Sequence, residues 1–312
     1  MDKIGAFFKL VRWPNLLITA LTMCLVYHCV MHFDSSAPFT LLVISMVLIQ
    51  AGGYVINDIF DKDIDAINKP EKQIVGKIFT EKQSNLFYIV LTIIGLGCGL
   101  AASIMALGKS FISIFACMVL LACFLYSYSS RYKKTLVAGN LIVSLSVAFA
   151  VFVPWLFEML YVSKHELLLV TMKPLMQMSL RFVLIYTAFA FLMTLIREIV
   201  KDMEDVEGDE SLNCRTIPIA WGVKAAQIIV MVLGLLAFIM IMYAKEDLYD
   251  MGFKVASYLL NASGVFMFMM VLGGNIFGLL DASFRTSKQY HLQSIAMKIS
   301  MLIGVLSMFF IK

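Results

Sequence analysis

Charge is what this sequence has least of. Only 15% of its 312 residues are Asp, Glu, Lys or Arg, where a soluble domain carries about a quarter. Thiol chemistry is also poorly provided for: Cys24, Cys29, Cys98, Cys117, Cys123 and Cys214 show no CxxC spacing. That excludes a disulfide framework and a zinc site. The four histidines, His28, His32, His165 and His291, are scattered and form no metal-ligand pair. No basic stripe with interleaved aromatics accompanies the formal net charge of +4, so a nucleic-acid partner is not expected. The start, MDKIGAFFKLVRWPN, lacks a small-residue cleavage site after a short apolar core. It reads as an interfacial amphipathic helix rather than a cleavable signal.

What is there is hydrophobicity: 61% of the residues are apolar and the mean hydropathy is +0.88. Long apolar runs recur from end to end, the pattern of an integral membrane protein. Spans of about 20 residues fall near 14–32, 38–57, 84–107, 110–129, 136–160, 177–197, 225–243, 255–279 and 293–311, the eighth weakened by Asn261 and Gly273–Gly274. The expected fold is therefore all-α, with about nine transmembrane helices in one polytopic domain over residues 1–312. Five of the cysteines, the 22 methionines and the 24 phenylalanines are read as packing and lipid-facing side chains. Lys and Arg crowd one side, including Lys3, Lys9, Arg12, Lys62, Lys69, Arg131, Lys133, Lys134, Arg197, Lys201 and Arg215, while Lys109, Lys164, Lys173, Lys245, Lys254 and Lys312 take the other. This asymmetry predicts a cytoplasmic N-terminus in the cell membrane.

Against that apolar background two acidic segments stand out, near 57–83 and 197–224. In GGYVINDIFDKDIDAINKP, Asn57, Asp58, Asp61 and Asp65 fall within a helical arc of roughly 100°, and Asp63 points elsewhere. In LIREIVKDMEDVEGDE, Glu198, Asp202, Asp205 and Asp209 fall within roughly 60°. Both follow an expected span, the second and the sixth, on the same side. Like charges four residues apart on a helix repel, so each row needs something to offset it. Magnesium is hard, prefers oxygen, and bridges carboxylates to substrate phosphates. Two such rows could share a magnesium-bound diphosphate. An ordinary solvated helix end would explain one row; two on the same side weigh against it. An EF-hand is excluded because Ala66 and Lys72 stand where its Gly and Glu belong.

Cations and aromatics cluster beside the first row's side of the sequence. Arg131, Lys133 and Lys134, with Lys69, Lys201 and Arg215, could neutralise a leaving diphosphate; as positive-inside anchors they would need no such role. Tyr126 and Tyr128 could shield a cationic intermediate or belong to an interfacial belt. Arg12 and Asn15 could serve an acceptor.

At these residues the chain resembles a known family. NDIFDKDID resembles the first aspartate-rich motif of the UbiA-type intramembrane prenyltransferases, and DVEGD, Asp205 to Asp209, resembles their second. The resemblance implies a helical bundle around a central cavity with a lateral opening to lipid. It implies an isoprenyl diphosphate held through Mg2+ by Asn57, Asp58, Asp61, Asp65, Asp205 and Asp209, with Asp202 and Glu198 on the same face as helpers. It also implies ionisation of the allylic carbon–oxygen bond and transfer of the prenyl group to a membrane-associated acceptor, with the active site facing the cytoplasm. REIVKDMEDVEGD, KKTLVAGNLIVS and RTIPIAWG resemble the digeranylgeranylglyceryl phosphate synthase branch, which alkylates a glycerol hydroxyl to make an ether lipid. An aromatic quinone, pigment or haem precursor is the alternative acceptor. Two segments depart from the pattern. KPEKQI replaces a KPKRPI-like stretch, and the Tyr-x-x-x-Lys motif is displaced: Tyr132 stands four residues after Tyr128, with Lys133 one later. Arg131 is expected to stand in for that lysine. A secondary transporter, the competing class, would place its ionisable residues near the midplane rather than at span ends.

Overall fold

Inside hydrocarbon a backbone must satisfy its own N–H and C=O groups, which leaves a long apolar run only the helix. A computed structural model describes residues 2–31, 36–63, 71, 73–211 and 214–311. Its helices are α1 Lys3–Leu10, α2 Trp13–Leu25 with a π-helical turn at Val26–Val30, α3 Ala37–Phe60, α4 Glu81–Leu107, α5 Ile112–Ser130 and α6 Ala138–Val162. There follow α7 Glu166–Glu204, the short α8 Val206–Ser211 and α9 Ile217–Trp221, then α10 Val223–Asp250, α11 Lys254–Leu280 and α12 Ser287–Ser307. Among the described residues nine helices are long and apolar enough to cross a membrane. The extended backbone there amounts to a single bridge, Val75 to Phe79.

The spans lie where the hydropathy places them, with one large correction. The sixth, expected over 177–197, is a 39-residue helix from Glu166 to Glu204, about 58 Å long at 1.5 Å per residue. Hydropathy marks only the part that needs lipid. The flanking residues, Lys173 and Lys201 among them, continue the helix on their own propensity. Arg181 then finds Asp247, near the end of α10, at 2.6 Å. The seventh span likewise runs on to Asp250.

The chain divides into two compact units. One comprises Met1–Cys24, Phe33–Lys133 and Val153–Met176; the other comprises Leu25–His32, Lys134–Phe152 and Gln177–Lys312. All three helices shared between them change unit at an irregularity: α2 just before its π turn, α6 beside Pro154 and α7 two residues after Pro174. A proline inside a helix removes one backbone hydrogen bond.

In the first unit α3 and α4 approach closely because glycines let them. A Cβ built at Gly95 would meet Ile49 Cγ1 at 2.9 Å and its backbone N at 3.1 Å; one at Gly99 would meet Ser45 Oγ at 2.6 Å. Such small-residue faces replace the missing hydrophobic drive between helices in lipid. Helix α1 buries Ala6 and Leu10 in a cluster with Val11, Ala51, Val55, Ile74, Val75 and Phe79, and leaves Ile4 and Phe8 exposed. The expected interfacial helix is thus anchored onto α3.

In the second unit α11 packs between α10 and α12. Gly278 makes room for Gln227 of α10, and Gly274 for Gln293 of α12. Ser263 of α11 bonds the carbonyl of Ser300 of α12 at 2.8 Å. Of the residues that weaken the eighth apolar run in the sequence, Gly274 is a packing residue that receives the Gln293 side chain, Gly273 meets nothing within 4 Å, and Asn261 is half-buried.

Gly95→Ala is expected to lower stability by about 1–3 kcal/mol through overpacking. Gly97→Ala, which meets nothing within 4 Å, should leave stability unchanged or raise it by up to about 1 kcal/mol. Unfolding of both variants in detergent micelles measures the contrast; equal losses would show that the glycine face does not set the α3–α4 approach.

Candidate active site

Helix α3 delivers the first row. Its last turn carries Asn57 and Asp58, and Asp61 caps it, bonding the carbonyl of Asn57 through its own N–H at 2.9 Å. Capping continues the helical register for one more residue, which brings Asn57 and Asp61 together: Asn57 Nδ2 donates to Asp61 Oδ2 at 2.7 Å. Lys133 makes an ion pair with the same oxygen. Asn57 and Asp61 are buried, and Asp63 is 91% exposed on the other face, as the helical register requires. Asp65, Lys69 and the side chain of Lys134 lie outside the described residues.

Asp58 is held from another direction. Arg12, between α1 and α2, donates from a terminal guanidinium nitrogen to Asp58 Oδ1 at 2.9 Å, and its guanidinium lies 5.0 Å from the Tyr54 ring centre. Tyr54 and Asp58 are four apart on α3 and so share a face. Arg12 has a φ of 51°, in the left-handed region. A non-glycine residue there costs on the order of 1–3 kcal/mol and persists only where its surroundings hold it. Burial works against the guanidinium's charge, and the Asp58 carboxylate more than offsets it, raising the Arg12 pKa. Tyr128, half-buried near the end of α5, lies near the same guanidinium. Asn15 is half-buried three residues on, its N–H bonded to the Arg12 carbonyl at 2.9 Å.

The displaced lysine is resolved by this geometry. After α5 the chain makes a 3-10 turn over Tyr132–Lys134, which carries Lys133 to Asp61. Arg131, expected to stand in for that lysine, is exposed at the end of α5, and it is Lys133 that pairs with Asp61. Tyr126 stacks on Tyr88 with ring centres 6.3 Å apart and is 45% exposed, which fits the belt reading. Nearby, Lys62 pairs with Glu81, whose hydrogen bond and charge raise the lysine's pKa. Gln73 donates to the Lys62 carbonyl at 2.8 Å and ties down the start of the loop.

The second row begins on α7. Glu198 is buried and ion-paired to Arg197 at 2.7 Å and to Lys201 at 3.0 Å. Asp202, one turn on, accepts from Asn140 Nδ2 of α6 at 2.8 Å. The row is not carried on one uninterrupted helix. The chain bends at Asp205, between α7 and α8, although the Asp205 N–H still bonds Lys201 and the Asp209 N–H bonds Asp205, each at 3.0 Å. Arg215 is exposed. The sequence reading missed three partners: Asn140, Arg197 as the counterion of Glu198, and His291, 2.8 Å from Glu204. Arg197 also leaves its Nε buried without a hydrogen-bond partner among the described residues, a donor an anionic ligand can use.

Among the described residues no three His, Cys, Asp or Glu side chains converge into a closed metal cage. Magnesium takes one or two carboxylates and completes its shell with water and substrate phosphates. The row donors are all oxygens, so the residues fit this ion and not a soft metal.

Oxygen donors at the ends of membrane helices, with cations alongside, suit a phosphorylated substrate whose tail stays in lipid. Residues 13–303 match the model of the UbiA prenyltransferase family. The chain belongs to that family and is a multi-pass membrane prenyltransferase. It is 30% identical to the digeranylgeranylglyceryl phosphate synthase of Sulfurisphaera tokodaii over 257 residues, 80% of this chain and 83% of that protein. The synthase of Hyperthermus butylicus is 27% identical across 98% of this chain and 96% of its own length. A structure solved in work on digeranylgeranylglyceryl phosphate synthase in membranes has a TM-score of 0.64 at 24% identity, covering 99% of this chain and 98% of that one. The UbiA homologue of Archaeoglobus fulgidus bound to GPP and Mg2+ has a TM-score of 0.60 at 16% identity, covering 97% of this chain and 99% of that one. These structures share the fold.

Removing one partner from a largely buried ion pair leaves the other uncompensated. Lys133→Met is expected to destabilise the protein by about 1–3 kcal/mol, and adding Asp61→Asn should recover part of the loss. Arg131→Gln should stay within about 0.5 kcal/mol of the parent. Unfolding in micelles measures all three, and a Lys133→Met variant as stable as Arg131→Gln would remove the Lys133–Asp61 pair from the site.

Proposed function

We propose that both rows bind one isoprenyl diphosphate through Mg2+ and that the prenyl group passes to a glycerol hydroxyl of a lipid phosphate, geranylgeranylglyceryl phosphate. The observation that carries this reading is the balance of each row: carboxylates capable of holding a cation, with Arg12, Lys133, Arg197 and Lys201 placed to meet the phosphate that comes with it. Relatives named digeranylgeranylglyceryl phosphate synthase and the GPP- and Mg2+-bound Archaeoglobus fulgidus homologue support it.

In this reading Asn57, Asp58, Asp61 and Asp65 form one half of the cradle, and Asp202, Asp205 and Asp209 the other. When bound, magnesium supplies the charge that makes diphosphate a leaving group. Lys133 and Arg12 neutralise charge that develops on the departing oxygens, and Lys69, Lys134, Lys201 and Arg215 extend that field. The allylic carbon–oxygen bond breaks with its electron pair going to diphosphate. The acceptor oxygen then attacks the carbocation, forming the ether and releasing the hydroxyl proton. Tyr128 shields the cation with its ring face, and exclusion of water prevents its hydrolysis. Glu198 orients Arg197 and Lys201, and Asn15 serves the acceptor. In this reading the N-terminus and both rows lie on the cytoplasmic side, as the Lys/Arg asymmetry predicts.

Asp61→Asn and Asp205→Asn should each lower prenyl transfer at least about 100-fold with the fold retained, while Asp63→Asn keeps most activity. Magnesium-dependent turnover surviving both row variants would end the cradle reading. In a panel of labelled prenyl diphosphates and acceptors, mass spectrometry should find geranylgeranylglyceryl phosphate prenylated in preference to hydroxybenzoate or naphthoate. Product with an aromatic acid alone would move the chain to the other acceptor class.

Cysteines introduced at Asp63 and Gly208 should both label from the cytoplasmic face of intact cells, and one at Lys164 from the opposite face. Labelling of the first two from opposite faces would rule out a shared diphosphate.

A further inference from the structure

The two carboxylates at the centre of the second row are held in different ways. Both oxygens of Glu198 are engaged by cations, Oε1 by Arg197 and Oε2 by Lys201. Asp202 has a neutral partner instead. Its Oδ2 accepts from the amide of Asn140 at 2.8 Å, and its Oδ1 makes no hydrogen bond to the described residues. Asn140 is itself only 9% exposed and sits in the first turn of a membrane-spanning helix, an unfavourable place for an asparagine side chain unless it has a polar partner. The bond joins α6 to α7 across 62 positions of sequence. The first row has the same device: Asn57 Nδ2 donates to Asp61 Oδ2 at 2.7 Å.

An amide donor differs from an ammonium in one decisive way. It fixes the orientation of a carboxylate and leaves its full negative charge for another partner. Partners that aim a metal-binding carboxylate in this manner are worth about 10–100-fold in metal affinity. We propose that Asn140 is a positioning residue, which clamps one oxygen of Asp202 so that the other is presented to a divalent cation. By the same contrast Glu198 is the counterion of Arg197 and Lys201 and not a metal ligand. The inference rests on the reading of Asp202 as a ligand, and it adds the residue that makes Asp202 effective.

The test uses purified full-length protein in micelles, Mn2+ as a spectroscopically visible divalent ion, and inorganic pyrophosphate. Free Mn2+ is followed by electron paramagnetic resonance, and the metal-free unfolding temperature is recorded alongside. Asn140→Ala should weaken Mn2+ binding about 10–100-fold while still unfolding cooperatively without metal, and its loss of prenyl transfer should diminish as Mg2+ is raised. Asn140→Ser keeps a donor in a shorter side chain, and should recover part of the affinity; it also serves if the alanine variant does not fold. Asp202→Asn should weaken binding at least as much, and Asn140→Ala added to it should have no further effect. Unchanged Mn2+ affinity in Asn140→Ala and Asn140→Ser, with binding lost in Asp202→Asn, would overturn the positioning role alone. Unchanged affinity in Asp202→Asn would overturn the ligand reading and the positioning role together.

Discussion

Every carboxylate that this chain places at the end of a lipid-spanning helix has to be balanced, because an ionised group near hydrocarbon is costly without a partner. The balance is local and specific. Asp58 has Arg12, Asp61 has Lys133 and the Asn57 amide, and Glu198 has Arg197 and Lys201. Asp202 alone among them relies on a neutral amide. Cations that balance a carboxylate are also the groups nearest to any phosphate drawn to the same row. One requirement, charge compensation at the membrane boundary, underlies the resting stability of the rows and, under the proposed function, would also supply the electrostatics that a departing diphosphate needs.

The fold is arranged to meet that requirement at some local cost. Arg12 reaches Asp58 only from a left-handed backbone, and the packing of Ala6, Leu10 and Val11 onto α3 holds the segment that carries it. Lys133 reaches Asp61 because the chain leaves α5 through a tight 3-10 turn instead of continuing the helix. On α7 the helix is extended well past its apolar stretch, which lets Glu198 and Asp202 share a regular face before the bend at Asp205. In the first two cases a departure from regular structure ends in a contact to a row.

Much of this was legible in the sequence, for identifiable reasons. Spans are legible because burial in lipid imposes a length and a composition, and the rows are legible because helical spacing gathers Asn57, Asp58 and Asp61 as it gathers Glu198 and Asp202. The partners were harder. Asn140 meets Asp202 across 62 positions and Lys133 meets Asp61 across 72, and no local period encodes such distances. The one-residue displacement of Lys133 looked like a defect because motif spacing assumes a continuing helix, which the 3-10 turn does not provide. The length of α7 was hidden because hydropathy is silent about helical residues that extend beyond lipid. The bend at Asp205 was hidden too, since the spacing that predicts a shared face is preserved across it by backbone bonds.

The glycines of α11 bear on how this sequence can change over time. A Cβ at Gly278 would lie 2.2 Å from Gln227 Nε2, and one at Gly274 would lie 1.9 Å from Gln293 Nε2. Each glycine faces the amide end of its glutamine, so a change at one position moves the side chain at the other. Enlarging the glycine requires the glutamine opposite to swing aside or shorten, and shortening the glutamine leaves a void that a methyl group would fill. Among descendants of this chain positions 227 and 278 should therefore vary as a pair, as should 274 and 293. The three helices α10, α11 and α12 inherit their mutual packing through two coupled substitutions, not through the average hydrophobicity of their surfaces.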